Sequence, residues 1–302
     1  MNDIVNEKAD LPAPYDRDLS KVLRNLNRST PSGFRRTAND RFTASLLRAG
    51  MTLIRNELGP GAIRRSVVPG DDNSVERRAL EFLSQRAVVT QVTRNEPPFN
   101  RGTMGALRER WASHSHYVAD LLRFGLWVEQ YGTDYTRMRA EREKQLMDRG
   151  HDFVEAIHLA AVRELDLLVN LPIFRLHLLA VATAEGDKVI REAIGQNYRS
   201  VVGEWESTYE RAFTARGFRP RRPDSFAKLA QMLAAMAEGM AMRELGDASS
   251  PVRTDDTRTL LGEGAVWLLL GCLQREDDDD RSSPGERLRA MTEPPVAQVD
   301  GP

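Results

Sequence analysis

Gly105-Ala-Leu-Arg-Glu-Arg-Trp111 runs directly into Ala112-Ser-His-Ser-His-Tyr117. These residues predict a short cationic helix, an aromatic plug, a serine cap and the start of a second helix. Leu107 and Trp111 lie four apart, on one helical face, and predict anchorage in a small core. Arg108 and Arg110 offer paired donors for guanine or phosphate, which a helix entering a DNA groove needs. Asn100, Arg101 and Thr103, just upstream, add polar groups of the same use. Ser113, His114 and Tyr117 stand at the first turn of the following helix, where backbone amides and side chains can hold a phosphate.

Working outward, the elements predicted around this stretch are helical. Asn39 or Asp40 caps a helix to about Leu58, with Phe42, Leu46, Leu47, Met51, Ile54 and Leu58 at helical spacing, and Gly59-Pro60-Gly61 stops it. Residues 60–74 read as a loop. A second helix runs over about 75–92, and Glu96-Pro-Pro98 cannot continue it. Helices follow over 103–111 and from Ser113 to about Tyr131, then over 133–149, 151–168, 171–184, 187–215, 224–244 and 256–275. Gly186, Gly217 and Gly246 sit where helices should stop. No alternating strand pattern persists. The expected fold is therefore all-α, with an amino-terminal helix-turn-helix domain of three helices and a carboxyl-terminal helical domain, whose ligand and dimerisation roles are implied only by a family resemblance carried in part by Gly105–Tyr117. The expected divisions are a flexible basic arm (1–36), the DNA-binding domain with its connecting helix (37–131), the helical domain to which that resemblance gives regulation and dimerisation (132–275) and a disordered acidic tail (276–302).

Charge supports an asymmetric division of labour. The 302 residues are 41% hydrophobic and 29% charged, enough for two packed units, and the formal net charge is −1. Residues 1–131 hold 20 Lys and Arg against 15 Asp and Glu, whereas the remainder holds 23 against 29. A basic amino half predicts contact with a polyanion there, and uneven solvated surface is the plain alternative. The stretch Arg24–Arg41, at and just beyond the end of the arm, carries Arg24, Arg28, Arg35, Arg36 and Arg41, cations suited to a minor groove. One cysteine, Cys272, excludes an intramolecular disulfide framework. No apolar run has membrane-spanning length and no secretory signal opens the chain, so the expected location is cytoplasmic and nucleoid-associated, with no membrane partner.

Gly105–Tyr117 resembles the end of the DNA-binding domain of the tetracycline-repressor (TetR) family, through Gly105, Ala106, Leu107, Arg110, Trp111 and the cap Ser113. Arg108 stands where that pattern has a tyrosine, and His114 where it has a lysine. Leu46-Leu47-Arg-Ala-Gly-Met-Thr-Leu-Ile54 is similar to the family's first helix. In the carboxyl half, Asp187–Ile194, Tyr198, Trp205, Ala215–Pro220 and Phe226–Gly239 follow an order similar to its second domain. The connections at 60–74 and 94–102 are longer than the family's. The resemblance implies a homodimer on double-stranded DNA, packed through its last two long helices and controlled by a small-molecule effector, with no cofactor. Ala234, Ala235, Ala237, Gly239 and Ala241 allow close helix approach, and Leu260, Leu261, Val266, Leu268, Leu269 and Leu270 supply apolar area. Trp127, Tyr131, Phe174, His177, Trp205, Tyr209, Met232 and Met236 are candidates for an effector pocket, with plain core as the alternative.

Two other classes compete. His151-Asp152 matches the doublet of His-Asp metal-dependent phosphohydrolases, with His114, His116, Asp166 and His177 as conceivable co-ligands. The doublet reads more simply as the cap of the helix at 151, with Asp152 at its positive end. No phosphate loop, nucleophile elbow or zinc-protease motif is present, and the expectation is not an enzyme. A non-catalytic helical interaction protein with a degenerate DNA domain is the third class.

Overall fold

The structure is a computed structural model that describes residues 11–60, 81–131, 140–141, 143–148, 152–222, 224–247, 249–278, 282 and 285–286. Its described residues are mostly helical: α1 (Pro31–Ala38), α2 (Arg41–Leu58), α3 (Gln85–Arg94), α4 (Met104–Arg110), α5 (His114–Tyr131), α6 (Phe153–Asn170), α7 (Pro172–Thr183), α8 (Lys188–Ala215), α9 (Ser225–Gly246) and α10 (Leu260–Cys272). Two three-residue strands, β1 (Phe218–Pro220) and β2 (Leu273–Arg275), pair antiparallel, with Arg219 opposite Gln274. Strands this short carry no readable alternation, which is why none was expected. The loop expected at 60–74 and most of the acidic tail lie outside the described residues.

The caps are the local chemistry that ends each helix. Thr30, Asp40, Ser84, Thr103 and Thr259 each accept a hydrogen bond from the third residue onward, at 2.7–3.3 Å. Pro31 at the first position of α1 loses no intrahelical bond. Gly217, after α8, has φ of +78°, a left-handed conformation that glycine adopts without penalty.

The chain divides into two compact units, Met1–Arg139 with Asn170–Ser200, and Ala140–Val169 with Val201–Pro302. Residues 170–200 thus group with the amino-terminal helices, whereas a boundary at 131 was expected from sequence. The reason is packing: Ile173, Leu176 and Ala180 of α7 and Ile190, Ala193 and Ile194 of α8 share one buried cluster with α2 and α5. In that cluster α2 and α5 are very close. A Cβ at Gly50 would lie 2.3 Å from the Tyr117 hydroxyl and 2.7 Å from Leu121, so no larger residue fits without displacement.

The expected flexible arm is corrected. Leu11, Tyr15, Leu19, Leu23 and Leu26 are buried in the same cluster, and Tyr15 meets Phe99 and Phe124 at 4.8 and 5.2 Å. Residues 11–29 form an ordered strap, with one 3₁₀ turn at Leu19–Lys21. Its apolar residues recur every three or four positions, and five such side chains bury enough area to offset the ordering entropy that proline-rich polarity would otherwise leave dominant. Asp18 joins the strap to α1 by accepting from Asn39 Nδ2 (2.7 Å) and Ser20 Oγ (2.7 Å). Burial raises its pKa, but bonds from Asn39 and Ser20 and the nearby Arg35 outweigh this and hold it at about 2.

One buried carboxylate ties the strap to the helices. Asp120, on α5, is fully enclosed and accepts from the backbone N–H of Arg24 (2.9 Å) and Asn25 (3.0 Å), from Asn25 Nδ2 (3.0 Å), from Trp111 Nε1 (3.0 Å) and from Arg123 Nη1 (3.2 Å). Asn27 N–H donates to the Arg110 carbonyl beside it.

The second unit is a separate core. Phe213, Phe226, Leu229, Ala265, Leu269 and Leu273 are buried together, and Phe153 meets Phe213 and Phe218 at 5.8 and 5.5 Å. His158 of α6 packs on Gly262 of α10, where a Cβ would lie 2.4 Å from the imidazole.

Asp120→Ala would leave Arg123 as an unbalanced buried charge and strand the Trp111 N–H. The expected loss is about 3–5 kcal/mol of stability, read as a lowered midpoint in urea. A midpoint within error of the parent would contradict the assigned role.

Candidate nucleic-acid interface and apolar cavity

α4 is held on the first unit from one side. Leu107 is fully buried and Trp111 is 1% exposed, with its ring edge-on to Tyr117 at 5.1 Å. Both were expected as anchors. Thr103 caps α4 by accepting from Ala106 N–H (3.1 Å), and Ser113 caps α5 by accepting from His116 N–H (3.2 Å).

Two expected contact residues are corrected. Arg110 is buried, 7% exposed: Nη2 reaches Asp40 at 2.5 Å, Nε donates to Thr43 Oγ1 at 3.2 Å and Nη1 to the Ala106 carbonyl at 3.1 Å. Its guanidinium also lies 5.0 Å over the Phe42 ring. It fastens α4 to the capping residue of α2 and has no free edge for a base. The helical register explains this: position 110 is three after Leu107 and one before Trp111, on the inward face, while position 108 points away. Tyr117 is fully buried, and its hydroxyl donates to the Leu46 carbonyl at 2.9 Å, so it joins α5 to α2.

The other expected contact residues divide by exposure. Arg108 is exposed, with Nε 3.3 Å from Gln85 Oε1 of α3. Asn100 and Arg101 are exposed and line one recess with Arg41, Pro97 and Pro98. Arg35 and Arg36 are exposed on α1, Arg35 with Asp18 at 3.3 Å. His114 is half-buried, stacked on Tyr117 at 6.1 Å, and burial lowers its pKa, which favours the uncharged ring at neutral pH. Arg28, read from sequence as part of a free arm, bridges the strap, α1 and α4: Nη2 pairs with Glu109 at 2.5 Å and Nε donates to Thr37 Oγ1 at 2.9 Å.

The candidate effector residues do not form one set. Trp127, Phe174 and His177 belong to the first unit, where His177 Nε2 lies 3.0 Å from the Tyr198 hydroxyl. Burial lowers the His177 pKa. Trp205, Tyr209, Met232 and Met236 belong to the second unit. Tyr131 ends α5, and its side chain lies outside the described residues. Trp205, Tyr209 and Phe213 stack at successive turns of α8, with centroids 5.5 and 5.6 Å apart, and form one wall of an apolar cavity of about 80 Å³. Ala234 and Ala237 of α9 and Leu261 of α10 line it as well. Met236 packs with Ala161 and Leu261, and Met232 is exposed, so neither joins the aromatic wall.

Asp152 caps α6, accepting from Val154 N–H (2.8 Å) and Glu155 N–H (3.2 Å), while His151 lies outside the described residues. Asp166 pairs with Arg253 at 2.8 Å. Among the described residues no group of three His, Cys, Asp or Glu could hold a metal ion, and no single helix is long and apolar enough to cross a membrane.

Arg110→Ala should destabilise the protein by about 2–3 kcal/mol, because Asp40 and Thr43 lose a partly buried charge-assisted partner. A thermal melt checks this, and an unchanged melting temperature would return Arg110 to the list of surface cations. Compared with known proteins, the chain matches no family model, no curated sequence and no solved structure.

Proposed function

We propose that the chain is a sequence-specific DNA-binding regulator that works as a dimer on double-stranded DNA. The observation that carries this is the one-sided anchorage of α4: Leu107, Arg110 and Trp111 hold its inner face, while Arg108 remains exposed on the opposite one. A rigid helix seated on α2 and α3, with an exposed fork-shaped cation, suits major-groove contact. Asn100 and Arg101 in the α3–α4 connection extend the same chemistry, and Arg35 and Arg36 add phosphate-binding charge on α1. The contact set is smaller than the one expected from sequence, since Arg110 and Tyr117 are spent internally. On this reading α3 and α4 are a helix-turn-helix widened by their nine-residue connection, Asn95 to Thr103.

The dimer half of the proposal rests on α10. Trp267 and Leu270 are 70% and 68% exposed, three residues apart on one helical face, and Met242 of α9 is 52% exposed. Large side chains left in water on helices of small residues suit burial against a second copy. Leu261 and Leu269, expected in that interface, serve the core of their own unit. The aromatic-walled cavity between α6, α8, α9 and α10 is the place for a small apolar effector, which acts only by favouring one spacing of the two α4 helices.

Selection of bound duplexes from random DNA, followed by mobility-shift titration across salt, tests the DNA reading. Replacing Arg101 and Arg108 together by Ala should weaken binding at least tenfold and flatten the dependence on log salt by about one or two. Absence of any selected sequence, with no salt-dependent binding, would remove the proposal. Separately, Trp267→Glu should convert a dimeric mass to a monomeric one in light scattering. A parent protein that is already monomeric would sink the dimer.

A further inference from the structure

A second recess, remote from α4's exposed face in its chemistry, lies wholly within the first unit. The strap contributes Lys21, Val22 and Arg24, α5 contributes Arg123, Leu126 and Trp127, and the first half of α8 closes it, in a volume of about 580 Å³. Three cations line it and no acid does. Lys21 and Arg24 are exposed, and among the described residues neither side chain has an acidic partner. Arg123 is 8% exposed and is held rigidly, by Asp120 at 3.2 Å and by Gln196 Oε1 at 2.9 and 3.2 Å. Arg123 is ion-paired with Asp120, so the unpaired charge offered to the recess is that of Lys21 and Arg24. Glu192 also acts on Arg123 through its charge, and Lys188 stands 3.8 Å from Glu192.

The same recess also supplies different chemistry. Trp127 offers an indole, with Leu126 and Val22 as apolar neighbours. Asn197 adds a buried amide nitrogen with no hydrogen-bond partner. A donor enclosed without an acceptor costs stability unless a ligand or water completes it. Two exposed cations, a rigidly held third, an indole and an unpaired buried donor lining one recess match a molecule with an anionic group and a flat ring.

We propose that this recess binds a small aromatic organic anion, a phosphate or carboxylate on a planar ring of nucleotide size. The anionic group takes Lys21, Arg24 and Arg123, the ring lies against Trp127, and an acceptor on the ligand meets Asn197. The site stands independently of the DNA reading. Its occupancy would nonetheless be felt at α4, because the Arg24 amide, Arg123 and Trp111 all bond the same carboxylate of Asp120.

Calorimetric titration of the full chain, without DNA, tests this with adenosine monophosphate and indole-3-carboxylate as the two anionic probes, and adenosine and inorganic phosphate as controls. At least one anionic probe should saturate at one site per chain, at least tenfold more tightly than either control. Lys21→Ala with Arg24→Ala should weaken that binding at least tenfold at an unchanged melting temperature, since both side chains are exposed. Phosphate binding as tight as the ring-bearing probe would overturn the aromatic half of the proposal. Saturation by neither anionic probe, or equal binding by the double variant, would overturn the site.

Discussion

Asp120 is the constraint on which the first unit turns. A carboxylate removed from water is tolerated only when enough donors replace its hydration, and here five do so from three separate parts of the chain. Two are backbone amides of the strap, so truncating the Arg24 side chain leaves them in place. One is the indole of Trp111, so the end of α4 takes its position from the same oxygen atoms. The last is Arg123, which faces the cation-lined recess. The buried network therefore makes the strap, the α4–α5 corner and the recess one mechanical object.

Arginines in this unit fall into two kinds that composition cannot separate. Arg28, Arg110 and Arg123 each make several defined bonds and join elements distant in sequence. Arg101 and Arg108 are exposed, and among the described residues Arg108 has a short side-chain contact, with Gln85. A planar fork of five donors is equally suited to a carboxylate inside the protein and a phosphate outside it. The amino half's excess of positive charge is thus partly internal mortar, and the charge offered to a polyanion is smaller than the count implies.

In the second unit the aromatic ladder of α8 faces alanines of α9. Small residues opposite large flat ones leave a narrow slot instead of a filled core, since alanine cannot reach across the gap. The slot is the size of a small apolar molecule, well below the recess of the first unit. Trp267 and Leu270 were left for solvent because α10 uses Leu261, Ala265 and Leu269 inward, and a thirteen-residue helix with apolar side chains all round cannot bury every face against its own chain.

Helix type, caps and most boundaries were legible in the chain: α2, α4 and α5 begin beside Asp40, Thr103 and Ser113, and Gly217 ends α8, because these depend on neighbours within four residues. Leu107 and Trp111 as anchors followed from spacing alone, and the same spacing sets Arg110 inward, but its burial also needs Asp40, 70 residues away, as a charge partner. The strap's fixation was half-visible in the recurrence of Leu11, Tyr15, Leu19, Leu23 and Leu26. Its partner was not, since Asp120 lies 95 residues from Asn25 and nothing local marks a carboxylate for burial. The grouping of 170–200 with the amino-terminal helices, the division of the aromatic residues between two units and the cations that line one recess with Trp127 likewise arise from contacts between segments far apart in the chain. Propensity and periodicity act over a few residues, whereas burial depends on which distant surfaces meet.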